Sequence, residues 1–160
     1  MDETMSSVRN LRKSGFTVLE LIVAIGIAMV VMGIAVPSFM TWLPTLRLSS
    51  GARQVATDLQ VARMKAISQN VKFRITFGTL PSASYQLERD TNSDGTYDLP
   101  GELDSGPFSL PDGITITAVV GTPEFQPRGT ASSTSTITVR NGNDETKSVQ
   151  VAIVGRVMIP

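Results

Sequence analysis

The feature that most constrains this chain is a long apolar segment close to its N-terminus. No Asp, Glu, Lys or Arg occurs between Leu21 and Leu46, and the stretch 16–36 is interrupted only by Thr17 and Glu20. At a helical rise of about 1.5 Å per residue this stretch is roughly 30 Å long, which is the thickness of the hydrocarbon core of a bilayer. A core helix of a small globular protein is rarely apolar on all sides. Residues 16–36 are therefore predicted to form a transmembrane helix.

Basic residues precede this segment, and the sequence after it lacks a good signal-peptidase site. Arg9, Arg12 and Lys13 lie just before it, so the positive-inside rule predicts a cytoplasmic N-terminus and an exported C-terminal part. A secretory signal peptide would carry a small-residue cleavage site after the apolar run, whereas the sequence there reads PSFMTWLPTL. An uncleaved membrane anchor is the simplest interpretation of these features.

Two residues make this interpretation more specific. Gly15 lies where the basic leader meets the apolar run, and Glu20 lies one helical turn beyond Phe16. A carboxylate in hydrocarbon is costly unless it is paired. If the chain is cut after Gly15, the new ammonium group of Phe16 in an axially shifted neighbouring copy can reach Glu20. Alternatively, Glu20 extends to the lipid headgroups, because it lies only one turn inside the segment.

The sequence KSGFTVLE at residues 13–20, followed directly by LIVAIGIAMVVMGIAVP, resembles the class III signal of type IV pilins and of type II secretion pseudopilins. The resemblance implies that a prepilin peptidase removes a leader, residues 1–15, by cleaving between Gly15 and Phe16. It further implies that the new N-terminal residue, Phe16, is then N-methylated.

The same resemblance implies an assembly role for the helix and a location for the rest of the chain. Glu20 would guide docking into a growing filament at an inner-membrane assembly platform, and Pro37 would kink the helix. The chain would then be a single-pass protein of the bacterial inner membrane. Its periplasmic part, residues 37–160, would join other pilins or pseudopilins in a filament.

The exported part is predicted to begin with a helix. Pro37 and Pro44 predict a kink or a brief break, after which a helix is expected from about Leu46 to Gln69. Apolar residues recur there at steps of three and four, which predicts a narrow buried stripe. The stripe consists of Ala52, Val55, Leu59, Ala62 and Ala66.

The residues after this helix are predicted to form antiparallel strands. Apolar and polar residues alternate through 71–77, which is typical of a strand with one buried face, and Asn141-Gly142 predicts a hairpin turn. Further strands are predicted at 84–89, 114–120, 136–140, 148–154 and 156–159. A long N-terminal helix packed on such a sheet is an α+β, pilin-like plan. The patterns ARMKAISQNVKFRITF, FQPRGTASSTSTITV and VQVAIVGRVMI are similar to those of H-type minor pseudopilins and FimT-type minor pilins.

The composition argues against an enzyme. Cysteine and histidine are both absent, which excludes disulfides, thiolate nucleophiles, histidine-based metal sites and Ser-His-Asp chemistry. A membrane-tethered hydrolase would have to rely on carboxylates, Lys or Ser/Thr, and no such constellation is evident. The chain is therefore predicted not to be an enzyme and to need no cofactor, with one candidate exception.

That exception is an acidic segment with the sequence DTNSDGTYD at residues 90–98. It places oxygen-bearing side chains at positions 1, 3, 5 and 9 of a calcium loop and a glycine at position 6. The candidate calcium ligands are Asp90, Asn92, Asp94, Asp98 and Glu102. Glu102 stands one place after the usual position of the bidentate Glu, and no helices are predicted on either side. The alternative is a turn-rich hairpin loop, because Asp, Asn and Gly are the common turn residues.

Two filament functions remain open on sequence alone. One is a minor pseudopilin of a type II secretion system, and the other is a minor pilin of a type IV pilus that primes assembly, adheres or takes up DNA. The absence of cysteine favours a minor subunit, because major pilins often carry a disulfide loop. DNA binding would use the basic residues between 47 and 74. The formal net charge is zero and no aromatic residues are interleaved with those of the helix, so nucleic acid is not the expected partner.

Overall fold

The computed structural model describes residues 15–160, and these form one helix and eight strands. The helix is α1 (Val18–Gln69), and it is followed by β1 (Lys72–Phe77), β2 (Ser84–Asp90), β3 (Leu103–Ser109), β4 (Thr115–Val120), β5 (Glu124–Phe125), β6 (Ser135–Arg140), β7 (Thr146–Val151) and β8 (Val157–Met158). The chain divides inside α1 into two units, one ending at Met40 and the other comprising Thr41–Pro160.

The first unit is the apolar N-terminal part of α1. Thr17 stands at the N-cap position, where its Oγ1 accepts a hydrogen bond from the Glu20 amide at 3.2 Å. The large apolar side chains from Phe16 to Met40 are exposed. Of the helices in residues 15–160, α1 is the one that is long and apolar enough to cross a membrane, judged by length and composition. The predicted long, apolar N-terminal helix is confirmed.

The helix continues through both prolines. α1 is uninterrupted at Pro37 and at Pro44, so the predicted alternative of a brief break is wrong. A proline inside a helix removes one backbone hydrogen bond and clashes with the preceding turn, but neighbouring turns can keep the helix intact around a bend. A kink at Pro37 stays a prediction.

The second unit contains two four-stranded antiparallel sheets. Their strand orders are β3-β2-β1-β5 and β4-β6-β7-β8. In the first sheet Ile75 lies opposite Leu87, and in the second Ile137 lies opposite Val149. All four side chains are buried, as the predicted alternation requires. The hairpin expected at Asn141-Gly142 is confirmed, because β6 and β7 pair on either side of that turn.

The core of this unit lies between the C-terminal part of α1 and the two sheets. The predicted helical stripe is confirmed, since all five of its residues are buried within the core cluster. They are Ala52, Val55, Leu59, Ala62 and Ala66. The alanines leave room for the larger core side chains of the strands, among them Phe73, Tyr85 and Phe125, which are at most 2% exposed.

Two strands lack an interpretable sequence pattern and were not predicted. β3 (Leu103–Ser109) contains Gly106 and Pro107, and most of its side chains are partly or fully exposed. β5 (Glu124–Phe125) has only two residues. The strand predicted at 148–154 instead ends at Val151, because Ala152–Gly155 form a turn closed by the Gly155 amide on the Ala152 carbonyl at 2.8 Å.

Candidate functional site

The predicted cleavage position lies in an exposed segment before the helix. Phe16 is 82% exposed, and α1 begins only at Val18. A Cβ atom built on Gly15 would meet no atom of the described residues within 4 Å, apart from those of its chain neighbour. The remainder of the predicted leader, residues 1–14, lies outside the described residues. The bond between Gly15 and Phe16 is therefore non-helical and accessible, as a peptidase substrate must be.

Glu20 lies in the first turn of α1 and is exposed. Among the ion pairs of residues 15–160, none involves Glu20. A carboxylate in the first turn interacts favourably with the partial positive charge of the helix N-terminus. That interaction is weak, so the charge remains open to a partner outside the chain.

The basic residues between 47 and 74 do not form a free basic surface. Lys65 pairs with Asp104, Lys72 lies 3.7 Å from Asp90, and Arg74 Nε donates to Glu88 Oε2 at 2.7 Å. Acidic residues of the 88–104 region thus neutralise half of the basic set. This pairing weakens the phosphate-binding field that a nucleic-acid partner would need.

Glu88 is the centre of a buried polar network on the first sheet. The residue is 1% exposed, and its carboxylate accepts hydrogen bonds from Arg74 Nε at 2.7 Å, Thr76 Oγ1 at 2.7 Å and Gln86 Nε2 at 2.8 Å. Burial by itself would raise the pKa of Glu88, but the hydrogen bonds from Thr76, Gln86 and Arg74 together lower it. The Arg74 guanidinium also lies 3.8 Å from the centre of the Tyr97 ring. Arg74 therefore connects this sheet to the acidic loop.

The acidic loop follows β2 and is shaped by its own side chains. Asp90 Oδ2 accepts from the Gly95 amide at 3.1 Å, and Asn92 Oδ1 accepts from the Asp94 amide at 3.1 Å. Asp94 Oδ1 accepts from the amide and the hydroxyl of Thr96 at 2.7 and 2.6 Å. These are successive side-chain-to-backbone turns, which are typical of Asp and Asn in loops.

The Glu102 carboxylate accepts hydrogen bonds from backbone amides at both ends of the acidic loop. Its Oε1 accepts from the amides of Thr91 at 2.7 Å and Asn92 at 3.4 Å, and its Oε2 accepts from the Asp98 amide at 2.9 Å. The hydrogen bond from the Asp98 amide is the largest cause of the lowered pKa of Glu102. Glu102 is thus an acceptor for loop amides. Within residues 15–160, no three or more His, Cys, Asp or Glu side chains are grouped to hold a metal ion, so the predicted ligands do not form a preassembled carboxylate cage.

A contact that the sequence did not reveal involves Arg63 and two glycines. Arg63 Nε donates to the Gly129 carbonyl at 2.7 Å, and Gly129 and Gly155 both have a φ of 80°. A Cβ atom at Gly155 would lie 1.9 Å from the Gly129 carbonyl oxygen. This close approach between two distant turns leaves no local signal in the sequence. The role of the two glycines is structural, since they hold two turns against α1.

The chain matches two known sequence families in two separate regions. Residues 51–155 match the family described as Type II transport protein GspH, and residues 10–36 match the prokaryotic N-terminal methylation motif. Together the two matches cover the end of the leader, the apolar helix and most of the second unit.

The chain is also similar to named pilin-like proteins and to solved structures of minor pilins and pseudopilins. The pilin-like protein PilA1 of Thermus thermophilus is 36% identical over 90 residues, and the chain spans 56% of that relative's length, with the same share of this chain covered. The minor pseudopilin EpsH of Vibrio cholerae superposes with a TM-score of 0.54 at 13% identity, over 71% of this chain and 96% of EpsH. The minor pilin FimU of Pseudomonas aeruginosa gives a TM-score of 0.53 at 17% identity, over 71% of this chain and 87% of FimU. At such identities the structural likeness shows the fold alone, and that fold is pilin-like.

Proposed function

Because the chain belongs to the GspH family of type II transport proteins, a family of structural and non-enzymatic pilin-like subunits, we propose that it is a minor pseudopilin of a type II protein secretion system. The observation that supports this proposal best is the joint match to the GspH family and to the N-terminal methylation motif. Family membership implies assembly with other pseudopilins and processing by a prepilin peptidase. The motif and the apolar helix are consistent with an inner-membrane prepilin whose C-terminal part is periplasmic.

In this proposal the first chemical step is removal of the leader. A prepilin peptidase cleaves between Gly15 and Phe16, and the amine of Phe16 is then N-methylated. The exposed backbone before Val18 supports this step, because a helical bond would have to unwind before cleavage. The product begins with a cationic amine almost one helical turn before Glu20.

The second step is assembly, which needs no active site. A subunit docks at the inner-membrane platform, where the Glu20 carboxylate of one subunit pairs with the Phe16 amine of a neighbour. Pairing offsets the cost of holding two charges in hydrocarbon, and packing of the apolar helices contributes the rest. Growth of the resulting filament then moves secreted proteins across the outer membrane.

A second candidate function is that of a minor pilin in a type IV pilus. Two observations favour it: the 36% identical relative is named a pilin-like protein, and the fold matches FimU nearly as well as EpsH. Both machines use the same leader and helix chemistry, so residues 10–36 do not discriminate between them.

The deciding experiment deletes the gene and measures protein release and surface pili in the same strain. Loss of extracellular protein with normal pili, restored by the wild-type gene, is expected for the pseudopilin. Loss of pili or twitching with normal secretion would contradict that proposal and support the minor pilin. Complementation with a Gly142→Ala gene is the matched control, because a Cβ atom added at Gly142 would meet no described atom within 4 Å beyond its chain neighbours, and this glycine lies in an exposed turn.

A further inference from the structure

One oxygen atom in the acidic loop is buried without a partner. The Asp90 side chain is wholly buried, and its Oδ2 accepts from the Gly95 amide. Its Oδ1 is buried and accepts no hydrogen bond from the described residues. Leaving a charged acceptor unsatisfied in the interior is costly, and native structures rarely do so without an ion or a water molecule.

The residues around this oxygen occur in the order of a calcium loop. Asp90, Asn92 and Asp94 occupy its positions 1, 3 and 5, and Gly95 at position 6 has a φ of 83°, as the sharp turn there requires. Asp94 Oδ2 is bound by the exposed Asn92 side-chain amide at 2.8 Å. Asn92 Oδ1 accepts from the Asp94 amide at 3.1 Å, and both side chains are exposed, so ions in solution can reach them.

We propose that the 90–98 loop binds one calcium ion through Asp90, Asn92 and Asp94. Asp90 Oδ1 is the buried anchor, and Asp94 and Asn92 supply ligands from the exposed side. Backbone carbonyl and water oxygens complete the shell, which calcium tolerates because its coordination is flexible. This set contains two carboxylates and an amide, so it does not need the cluster of three acidic residues that is absent from residues 15–160.

Glu102 is a positioning residue in this site and not a ligand. By accepting from the amides of Thr91, Asn92 and Asp98, it holds the loop closed in the absence of the bidentate Glu that normally does so at position 12. A site with only two carboxylate ligands is expected to bind calcium weakly. The expected dissociation constant is on the order of 10⁻⁴ to 10⁻³ M, the range of extracellular calcium modules.

The Lys72 ammonium group competes with a bound cation for the negative charge of Asp90. Its Nζ lies 3.7 Å from Asp90 Oδ2, and a Cβ atom at Gly95 would lie 4.0 Å from the same nitrogen. A positive charge at that distance disfavours a second cation. Replacing it by an uncharged side chain of similar length, Lys72→Met, is therefore expected to lower the dissociation constant for calcium.

The test is calorimetric titration of the purified full-length protein in detergent with calcium chloride. Saturable binding of one ion per chain is expected, together with a rise in the unfolding temperature. Asp94→Asn should raise the dissociation constant at least about tenfold, because it removes one of two ligand charges. The matched control is Asp112→Asn, an exposed acidic residue outside the loop, and it should bind calcium like the wild type.

Three outcomes would overturn the inference. One is the absence of binding heat and of any shift in unfolding temperature at about 10 mM calcium, tenfold above the weak end of the expected range. Another is an equal loss of binding in Asp112→Asn, and a third is an equal stabilisation by sodium chloride of the same ionic strength. The Asp94→Asn variant keeps a side-chain acceptor oxygen for Thr96, so a circular dichroism spectrum like that of the wild type separates lost binding from lost folding. The measurement uses purified protein and is independent of whether the chain serves secretion or piliation.

Discussion

At the scale of single residues, Gly15 can be tested without disturbing the fold of the chain. Among residues 15–160, nothing apart from its chain neighbour lies within 4 Å of a Cβ atom at this position, so the described part of the fold leaves room for a larger side chain. We expect Gly15→Leu to block leader removal, because the substitution alters the residue that the peptidase must accommodate. Mass spectrometry of the purified chain should find residues 1–15 still attached.

The control for this prediction is Gly26→Leu in α1, where an added Cβ atom would likewise meet no described atom within 4 Å beyond the adjacent helix backbone. It should be processed normally, since leucine is a better helix former than glycine. A Gly15→Leu product that begins at Phe16 would contradict the proposed processing.

Gly155 illustrates a residue whose identity is dictated by backbone geometry. Its φ of 80° disfavours any side chain, and a Cβ atom would lie 1.9 Å from the Gly129 carbonyl oxygen and 2.8 Å from Arg63 Nε. Gly155→Ala is therefore expected to lower the free energy of unfolding by more than about 2 kcal/mol. Gly142→Ala should change it by less than about 0.5 kcal/mol, because that glycine has open space around it. Thermal unfolding measures both changes. If Gly155→Ala and Gly142→Ala unfolded at similar temperatures, the proposed clash at Gly155 would be contradicted.

At the scale of secondary-structure elements, the predictable parts are those whose burial repeats regularly. The stripe of α1 and the alternation of β1 and β6 follow from one-sided burial, which leaves a period in the sequence. β3 has no such period, since it carries Gly106 and Pro107 and its side chains are mostly not buried. The prediction of a brief break at Pro37 and Pro44 was wrong because it considered only the local helix propensity of proline. It did not include the hydrogen bonds of the neighbouring helical turns, which can keep a helix intact around a bend.

At the acidic loop, too, the sequence predicts only part of the structure. The loop's composition identified Asp90 and Asp94 as oxygen-bearing candidate ligands, and whether they bind a cation stays a prediction. It could not predict that Glu102 faces the amides of Thr91 and Asp98, because that depends on how the chain returns from the loop into β3. Spacing in a sequence identifies oxygen-bearing side chains, whereas hydrogen bonding decides which of them remain available for a cation.

The contact between α1 and β2 predicts a loss of stability at alkaline pH. Tyr85 of β2 is 2% exposed and donates a hydrogen bond to Asp58 of α1. Burial, and then the adjacent Asp58 carboxylate, raise the pKa of Tyr85 above its ordinary value of 10.0. The folded protein therefore keeps this proton in a range where the unfolded chain loses it, so the free energy of unfolding falls as pH rises above 10.

Tyr85→Phe isolates this effect. At pH 8 the variant should be less stable than the wild type by about 1–3 kcal/mol, because it lacks the hydrogen bond to a charged group. Between pH 10 and 11 the difference should shrink, by at most about 1.4 kcal/mol per pH unit. Denaturant unfolding at a series of pH values measures both quantities, and parallel pH profiles for the two proteins would contradict the prediction.

At the scale of the whole molecule, charge is balanced inside the second unit but not in the apolar helix. Lys65, Lys72 and Arg74 find acidic partners within the chain, so much of the charge of this unit is neutralised by its own contacts. Glu20 has no ion-pair partner among residues 15–160. The one carboxylate placed in an apolar segment is thus also the one that, in the proposed assembly, depends on another subunit.

Glu20→Gln tests that dependence, because glutamine keeps the shape and polarity of the side chain but not its charge. Leader removal should be normal, since the exposed segment before Val18 is unchanged. Incorporation into filaments should fall at least about tenfold, because loss of an ion pair in a low-dielectric setting exceeds the roughly 1.4 kcal/mol that corresponds to a factor of ten. Quantifying the mature subunit in sheared filaments and in membranes separates the two steps. Asp112→Asn, which removes an exposed charge of the second unit, should assemble like the wild type, and normal incorporation of Glu20→Gln would show that assembly relies on helix packing instead.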